Sequence, residues 1–283
     1  MEFDDRRITV APAISLETRV WAGGGKTPVL CIHGLTRNAA DFDDVAKHVA
    51  QSGRDTAAIS LRGRGQSDRD PDPKNYYPTT YRDDALKVLY ALGWDRAIFI
   101  GTSLGAITTI LVNEKAPHRI AAAVINDIGP ELAEEGIARI GSYVGKTKGA
   151  AASLSDAAAR IRDINGVAFP DETGDEFWLA FAKRTFRETP DGWVLDYDPA
   201  IGEALAANGP PPDLWPSWTS LGDKPTMLVH GAISDLLTDP IVEKMRAAHP
   251  HFEYVSVPRV GHAPMLTEPA AADAIDAFLA KLD

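Results

Sequence analysis

Eight short apolar runs, most of them separated by helical patterns, constrain this chain more than any other feature. "RITVAPAI" and "SLETRVW" come first, followed by "PVLCIHG", "DTAAISL", "RAIFIGT", "IAAAVIND", "PTMLVHG" and "FEYVSVP". A run that is apolar at nearly every position suits a strand buried on both faces. Helical patterns fall at Ala39 to Gln51, Thr80 to Leu92, Leu104 to Lys115, Pro240 to Ala248 and Ala270 to Leu282. This alternation predicts an α/β fold with a mostly parallel sheet covered by helices on both sides. No helix separates the first two strands, so an antiparallel start is expected.

The alternation breaks between residues 131 and 215. That region carries helical stretches, no strand run, and nine aromatic residues: Tyr143, Phe169, Phe177, Trp178, Phe181, Phe186, Trp193, Tyr197 and Trp215. Such rings can form a small core of their own. The insertion also follows a strand end, where α/β folds place their sites, so some rings are expected to face a substrate beneath a lid. "NGPPPDLWP" closes the insertion as a stiff stop. The expected organisation is a core of residues 1–130 and 216–283 with a helical lid at 131–215.

"FIGTSLGA" holds the chemistry. A strand runs into Gly101-Thr102-Ser103-Leu104-Gly105 and then into an apolar helix. A strand-to-helix turn this sharp strains the serine backbone, and glycine two residues to either side avoids a clash. The motif alone is weak, because 23 glycines produce it by chance in roughly one such chain in ten. Its strand-and-helix context makes Ser103 the candidate nucleophile. A serine hydroxyl needs a base. His262, in the loop between the last strand and the last helix, emerges at the same sheet edge as Ser103. His48, His118, His249 and His251 read as surface residues, and His230 as packing beneath the site. No histidine pair has the spacing of a helical zinc site.

The imidazole in turn needs an acid. Asp235 in "LVHGAISDLLTD" is the first choice, since Ser103, Asp235 and His262 follow the chain order nucleophile, acid, histidine. Asp127 in "INDIGP", also at a strand end, is its competitor. The Leu104 N–H supplies one oxyanion donor, and "HGLTRN" presents the Leu35 N–H as the second. His33 then holds that loop.

Taken together, "HGLTRN", "LRGRGQSD", "GTSLGA", "GAISD" and "GHAP" resemble the ordered motifs of the α/β-hydrolase superfamily, in its lid-bearing branch. The resemblance implies an eight-stranded sheet, a helical cap, no cofactor, and acyl transfer to water through Ser103, Asp235 and His262. Departures narrow the branch. Epoxide hydrolases and haloalkane dehalogenases of the superfamily have aspartate where this chain has Ser103. Its carbon–carbon hydrolases often have tryptophan where Ala263 stands, and perhydrolase-like members have methionine at the place of Leu104. In "SLRGRGQS" a frequent aspartate is replaced by Ser60. An esterase or lactonase acting on a fairly apolar small molecule is the expectation. A carbon–carbon hydrolase and a small-molecule receptor with little turnover are the alternatives.

Other features bear on partners and place. The formal net charge of −11 argues against nucleic acid and anionic membranes as partners. "MEFDDRRITV" lacks the apolar segment of a signal peptide, and no stretch is long enough to span a bilayer. Cys31 is the sole cysteine, which excludes intramolecular disulfides and thiolate metal clusters and fits a cytoplasmic protein. "GGGKT" lacks the first glycine of a phosphate loop, since Val20 stands there, and a strand follows it, so a tight hairpin turn is expected. "RGRGQSDRD" reads as a solvated loop, with Arg62 and Arg64 as candidates to touch a substrate carboxylate.

Overall fold

Strand β1 (Asp4–Ala11) pairs antiparallel with the first part of β2 (Ile14–Ile32), as the absence of a helix between them implied. The computed structural model describes residues 2–146, 149–208 and 213–282. Five further strands complete the sheet: β3 (Arg54–Ile59), β4 (Ala97–Thr102), β5 (Ile120–Asn126), β8 (Thr226–Gly231) and β9 (Glu253–Val257), counting in chain order past a separate hairpin, β6 (Phe186–Thr189) and β7 (Gly192–Leu195).

The long β2 is two passes of chain. Its residues 18 to 21 face residues 59 to 56 of β3 in descending order, whereas residues 29 to 32 face 56 to 59 in ascending order. β3 therefore lies between the two halves, and the sheet has eight passes built from seven strands. "GGGK" is accordingly a crossing over the start of β3 and not the expected tight hairpin. Gly23 makes that crossing possible, since a Cβ there would sit 2.2 Å from the Arg54 carbonyl oxygen. From the second half of β2 onward, β4, β5, β8 and β9 all join in parallel.

Why the strands are apolar throughout follows from the pleat. Leu30, Ile32 and Phe99 point to one face, against Tyr81, Val88 and Leu89 of a helix at Pro78–Ala91. Val29, Cys31, Ile98 and Ile100 point to the other, against helices at Asp43–Gln51 and Pro269–Leu279. Each fully buried Leu, Ile or Phe contributes about 1.5–3 kcal/mol. The helix at Leu104–Lys115 is buried nearly all round, between the sheet and the helices at Trp215–Ser220 and Asp239–Ala248.

Between β5 and β8 the chain leaves the sheet for helices at Glu134–Tyr143, Leu154–Asn165, Asp175–Thr185 and Ala200–Ala207. They hold a cluster of their own in which the Phe169, Trp178 and Phe181 rings meet edge to face at 6.0–6.4 Å. The insertion is not strand-free as expected, because β6 and β7 form its hairpin. Four residues each is too short for a pattern, although the intervening "ETPDGW" carries a turn signal. The proline run at 210–212 lies outside the described residues.

Two further expectations are corrected. His249 is buried rather than on the surface, with its ring 5.4 Å from Trp218 and 5.7 Å from Phe252. "RGRGQSDRD" is not a solvated loop at its arginines. Arg62 donates to Asp84 at 2.6 and 2.8 Å and to Asp70. Arg64 donates to the carbonyls of Leu35 and Arg62 and to the Tyr81 hydroxyl. The same loop receives the insertion, through Gly65 N–H to the Asp196 carbonyl and Asp198 N–H to the Gly63 carbonyl. Removing the Arg62 charge would leave Asp84 buried without its partner. Arg62→Met should therefore lower stability by about 3–5 kcal/mol in urea unfolding, and an unchanged midpoint would refute a structural role for that ion pair.

Candidate active site

Ser103 stands between β4 and the following helix with φ 52° and ψ −114°. A left-handed backbone is costly for a residue with a side chain. The surroundings impose it through two glycines. A Cβ on Gly105 would lie 1.9 Å from the Ile32 carbonyl oxygen, and one on Gly101 2.5 Å from the Ala106 nitrogen. Helix and strand thus approach closely enough to push the Ser103 side chain out of the sheet edge. Its backbone carbonyl accepts from Ala106 and Ile107, which anchors the turn to the helix.

The Ser103 Oγ lies 3.0 Å from His262 Nε2, and His262 Nδ1 lies 2.9 Å from Asp127 Oδ2. His262 is nearly buried and Asp127 completely so. Asp127 follows the last residue of β5 and also has a left-handed backbone, φ 52°. Its carboxylate accepts from the Gly231 N–H at 2.7 Å and the Ser234 hydroxyl at 2.7 Å, while its own N–H donates to the Val229 carbonyl. These donors satisfy a buried charge that would otherwise be prohibitive. Asn126 ties the elements together by donating to Thr102 Oγ1 and to the Pro264 carbonyl.

Asp235 does not reach His262 as its hydrogen-bond partner, which corrects the first choice of acid. Its carboxylate is held by both Arg139 Nε and Nη2, the latter at 2.8 Å, and its carbonyl accepts from the Gly136 N–H. Burial alone would raise its pKa, but the Arg139 hydrogen bond and charge outweigh burial and lower it. The physical reason for the correction is position. Asp127 sits directly on a strand end beside β4, so the sheet aims it. Asp235 comes four residues after β8 ends, and the intervening Ser234 turns toward Asp127. The signal available in the sequence was this distance from the strand end.

The loop "HGLTRN" passes beside Ser103, where a Cβ on Gly34 would be 3.6 Å from the Ser103 Cβ. Leu35 lines the cavity there, its carbonyl held by Arg64 Nε at 3.0 Å. Among the described residues its N–H has no hydrogen-bond acceptor. Leu104 is the first residue of its helix, so its N–H has no intrahelical partner. His33 is completely buried, accepts from the Leu61 N–H at Nε2 and meets the Gly34 carbonyl at Nδ1. Burial, and then the charges of Arg64 and Arg37, push its pKa down to about 3. Ser60, unassigned from the sequence, accepts from the Ala39 N–H and donates to Glu17.

The cavity at Ser103 is small, about 90 Å³, and Ile140, Tyr143, Phe169 and Phe181 of the insertion line it with Leu35 and Met265. Arg37, which sequence reading missed, borders it with its guanidinium 3.8 Å above the Phe181 ring and paired to Asp41. Arg62 and Arg64 do not line it. Among the described residues no three His, Cys, Asp or Glu side chains converge as metal ligands, and no helix is long and apolar enough to cross a membrane.

A family model described as the alpha/beta hydrolase fold matches residues 27–269. The chain is 30% identical over 259 residues to the 3-hydroxybutyrate-oligomer hydrolase of Cupriavidus necator, covering 86% of this chain and 84% of that one. It is 25% identical over 280 residues to the 2-(acetamidomethylene)succinate hydrolase of Mesorhizobium japonicum, covering 97% and 96%. Among solved structures, an alpha/beta hydrolase from Novosphingobium aromaticivorans matches with a TM-score of 0.92 and 38% identity, over 99% of each chain.

The buried imidazole of His33 makes the loop beside Ser103 sensitive to acid. Its folded pKa lies below that of an exposed histidine, near 6.5. Below that value the unfolded chain binds a proton that the folded chain refuses. The stabilisation is complete above about pH 6.5 and is lost as pH falls toward 3, by up to about 1.4 kcal/mol per pH unit. Urea midpoints measured between pH 7 and 4 should fall less steeply for His33→Gln than for the wild type. Parallel slopes would count against this linkage.

Proposed function

Because the chain belongs to the α/β-hydrolase fold family, we propose that it is a serine hydrolase cleaving a carboxylic ester through an acyl-enzyme. The observation that carries the reading is the unbroken hydrogen-bond chain from Ser103 Oγ through His262 to Asp127, opening on a cavity. His262 Nε2 takes the Ser103 proton as Oγ attacks the ester carbonyl. Asp127 holds the Nδ1–H tautomer and stabilises the imidazolium that forms. The Leu35 and Leu104 N–H groups receive the oxyanion, each such donor being worth about 10²–10³ in rate. His262 then protonates the leaving alcohol and activates the water that releases the acid.

Residues 131–215 serve as the lid, contributing the Tyr143, Phe169 and Phe181 rings over Ser103. A cavity of about 90 Å³ is small beside the roughly 300–1,000 Å³ of drug-sized ligand sites. It supports a short acyl group rather than a long chain. The relative named for a hydroxybutyrate oligomer, whose units are joined by ester bonds, supports ester cleavage at 30% identity. A cytoplasmic location rests on the sole cysteine, Cys31, which is buried.

Turnover of activated esters from acetyl to decanoyl tests the reading. Acetyl to butyryl esters should be the best substrates. Ser103→Ala and His262→Ala should each lose up to about 10⁶ in kcat, and wild-type rates in either would overturn the assignment. Asp127→Asn should lose about 10⁴, whereas Asp235→Asn should stay within about tenfold of wild type. The reverse order would return the acid's role to Asp235.

A further inference from the structure

A second and much larger cavity, about 820 Å³, adjoins Tyr143, which lines both it and the small cavity at Ser103. Its wall carries Arg69, Arg139, Lys146, Arg160 and Arg187 against a single carboxylate, Asp163. That balance runs opposite to the chain as a whole, which has 29 Lys and Arg residues against 40 Asp and Glu. Like charges gathered on a concave, low-dielectric surface focus a field that attracts counter-charge.

Counted with Asp163, Asp235 and Asp196, the wall still keeps a net positive charge. Arg139 is neutralised by Asp235, and Arg187 reaches Asp196 only at 3.6 Å. Arg160 donates to the carbonyls of Gly149 and Ala150, which position it without cancelling its charge. Among the described residues no carboxylate comes within ion-pair distance of Arg69, Lys146 or Arg160. Phe186, Val194 and Leu195 supply apolar surface between the cations. The cavity therefore suits a molecule with an apolar stem and an anionic end.

Resting on the ester-hydrolase reading above, we propose that this cavity binds the alcohol portion of the substrate and that this portion carries a free carboxylate. The short acyl group occupies the small cavity at Ser103. The hydroxy acid extends past Tyr143 into the larger one, where Lys146, Arg69 and Arg160 hold its carboxylate. The substrate class is thus an acyl ester of a hydroxy acid. Cleavage breaks the bond between acyl carbon and alcohol oxygen, consumes one water, and releases two carboxylic acids.

The test compares the acetyl ester of 4-hydroxybutanoate with the methyl ester of the same compound, which has no charge. At low salt kcat/KM should favour the free acid by about tenfold, and the advantage should shrink as salt screens the cavity. The double variant Lys146→Ala, Arg69→Ala should raise KM for the acid about tenfold and leave kcat unchanged. It should leave both constants for the methyl ester at wild-type values. Equal kinetics on the two esters, or a variant that impairs both alike, would overturn the proposal while leaving the esterase reading standing. Should neither ester nor any activated ester turn over, the esterase reading itself fails. Calorimetry with glutarate then decides the cavity: binding by the wild type that the double variant loses supports an anion site, and no binding by the wild type overturns it.

Discussion

The contact of Gly105 with the Ile32 carbonyl is the constraint on which the candidate site depends. It allows the helix after β4 to start against the end of β2, closer than any residue with a Cβ would permit. That approach forces Ser103 into a left-handed backbone and lifts its hydroxyl clear of the sheet edge. It also brings the loop after β2 alongside, so that Gly34 and Leu35 lie beside Ser103. A backbone strain of about 1–3 kcal/mol is affordable here because the sheet and the buried helix hold both ends of the turn.

A second layer of buried polar contacts keeps that arrangement rigid. Arg64 fixes the Leu35 carbonyl, His33 fixes the Leu61 N–H, and Asn126 joins β4 to the loop that carries His262. Asp127 does more than face an imidazole. Its two oxygens also accept from Gly231 and Ser234, so one carboxylate pins the end of β8 and orients His262 at once.

How much of this was legible in the sequence varied with the length of the pattern. The sheet, its flanking helices and the Ser103 turn were readable because each rests on a run of residues with one periodicity. Ser103 and His262 were correctly brought to one edge, since both follow strands that end there. The partner of His262 was not, because both aspartates obey the same chain order, and the one difference, Asp127 directly after its strand against Asp235 four residues past its own, was outweighed by that order. Arg139, from a helix about 100 residues away, claims Asp235, and no local pattern announces that pairing. The hairpin β6–β7 was missed for want of length, and the buried Arg62 and Arg64 because Asp84 and Tyr81, their partners, lie on the helix at Pro78–Ala91, outside the loop that carries them.

The order of segments along the chain has a further consequence. Asp127 precedes the insertion and His262 follows it, while Ser103 lies earlier still, so none of the three belongs to the helices over the site. Those helices are moored at separate places on the core, by Asp196 and Asp198 on the loop at Gly63 to Gly65 and by Arg139 on Asp235. On the proposed function, reaction chemistry and ligand choice are thereby encoded in different stretches of the gene. Replacement or drift within the insertion can then change what lines the cavity while Ser103, Asp127 and His262 are inherited intact.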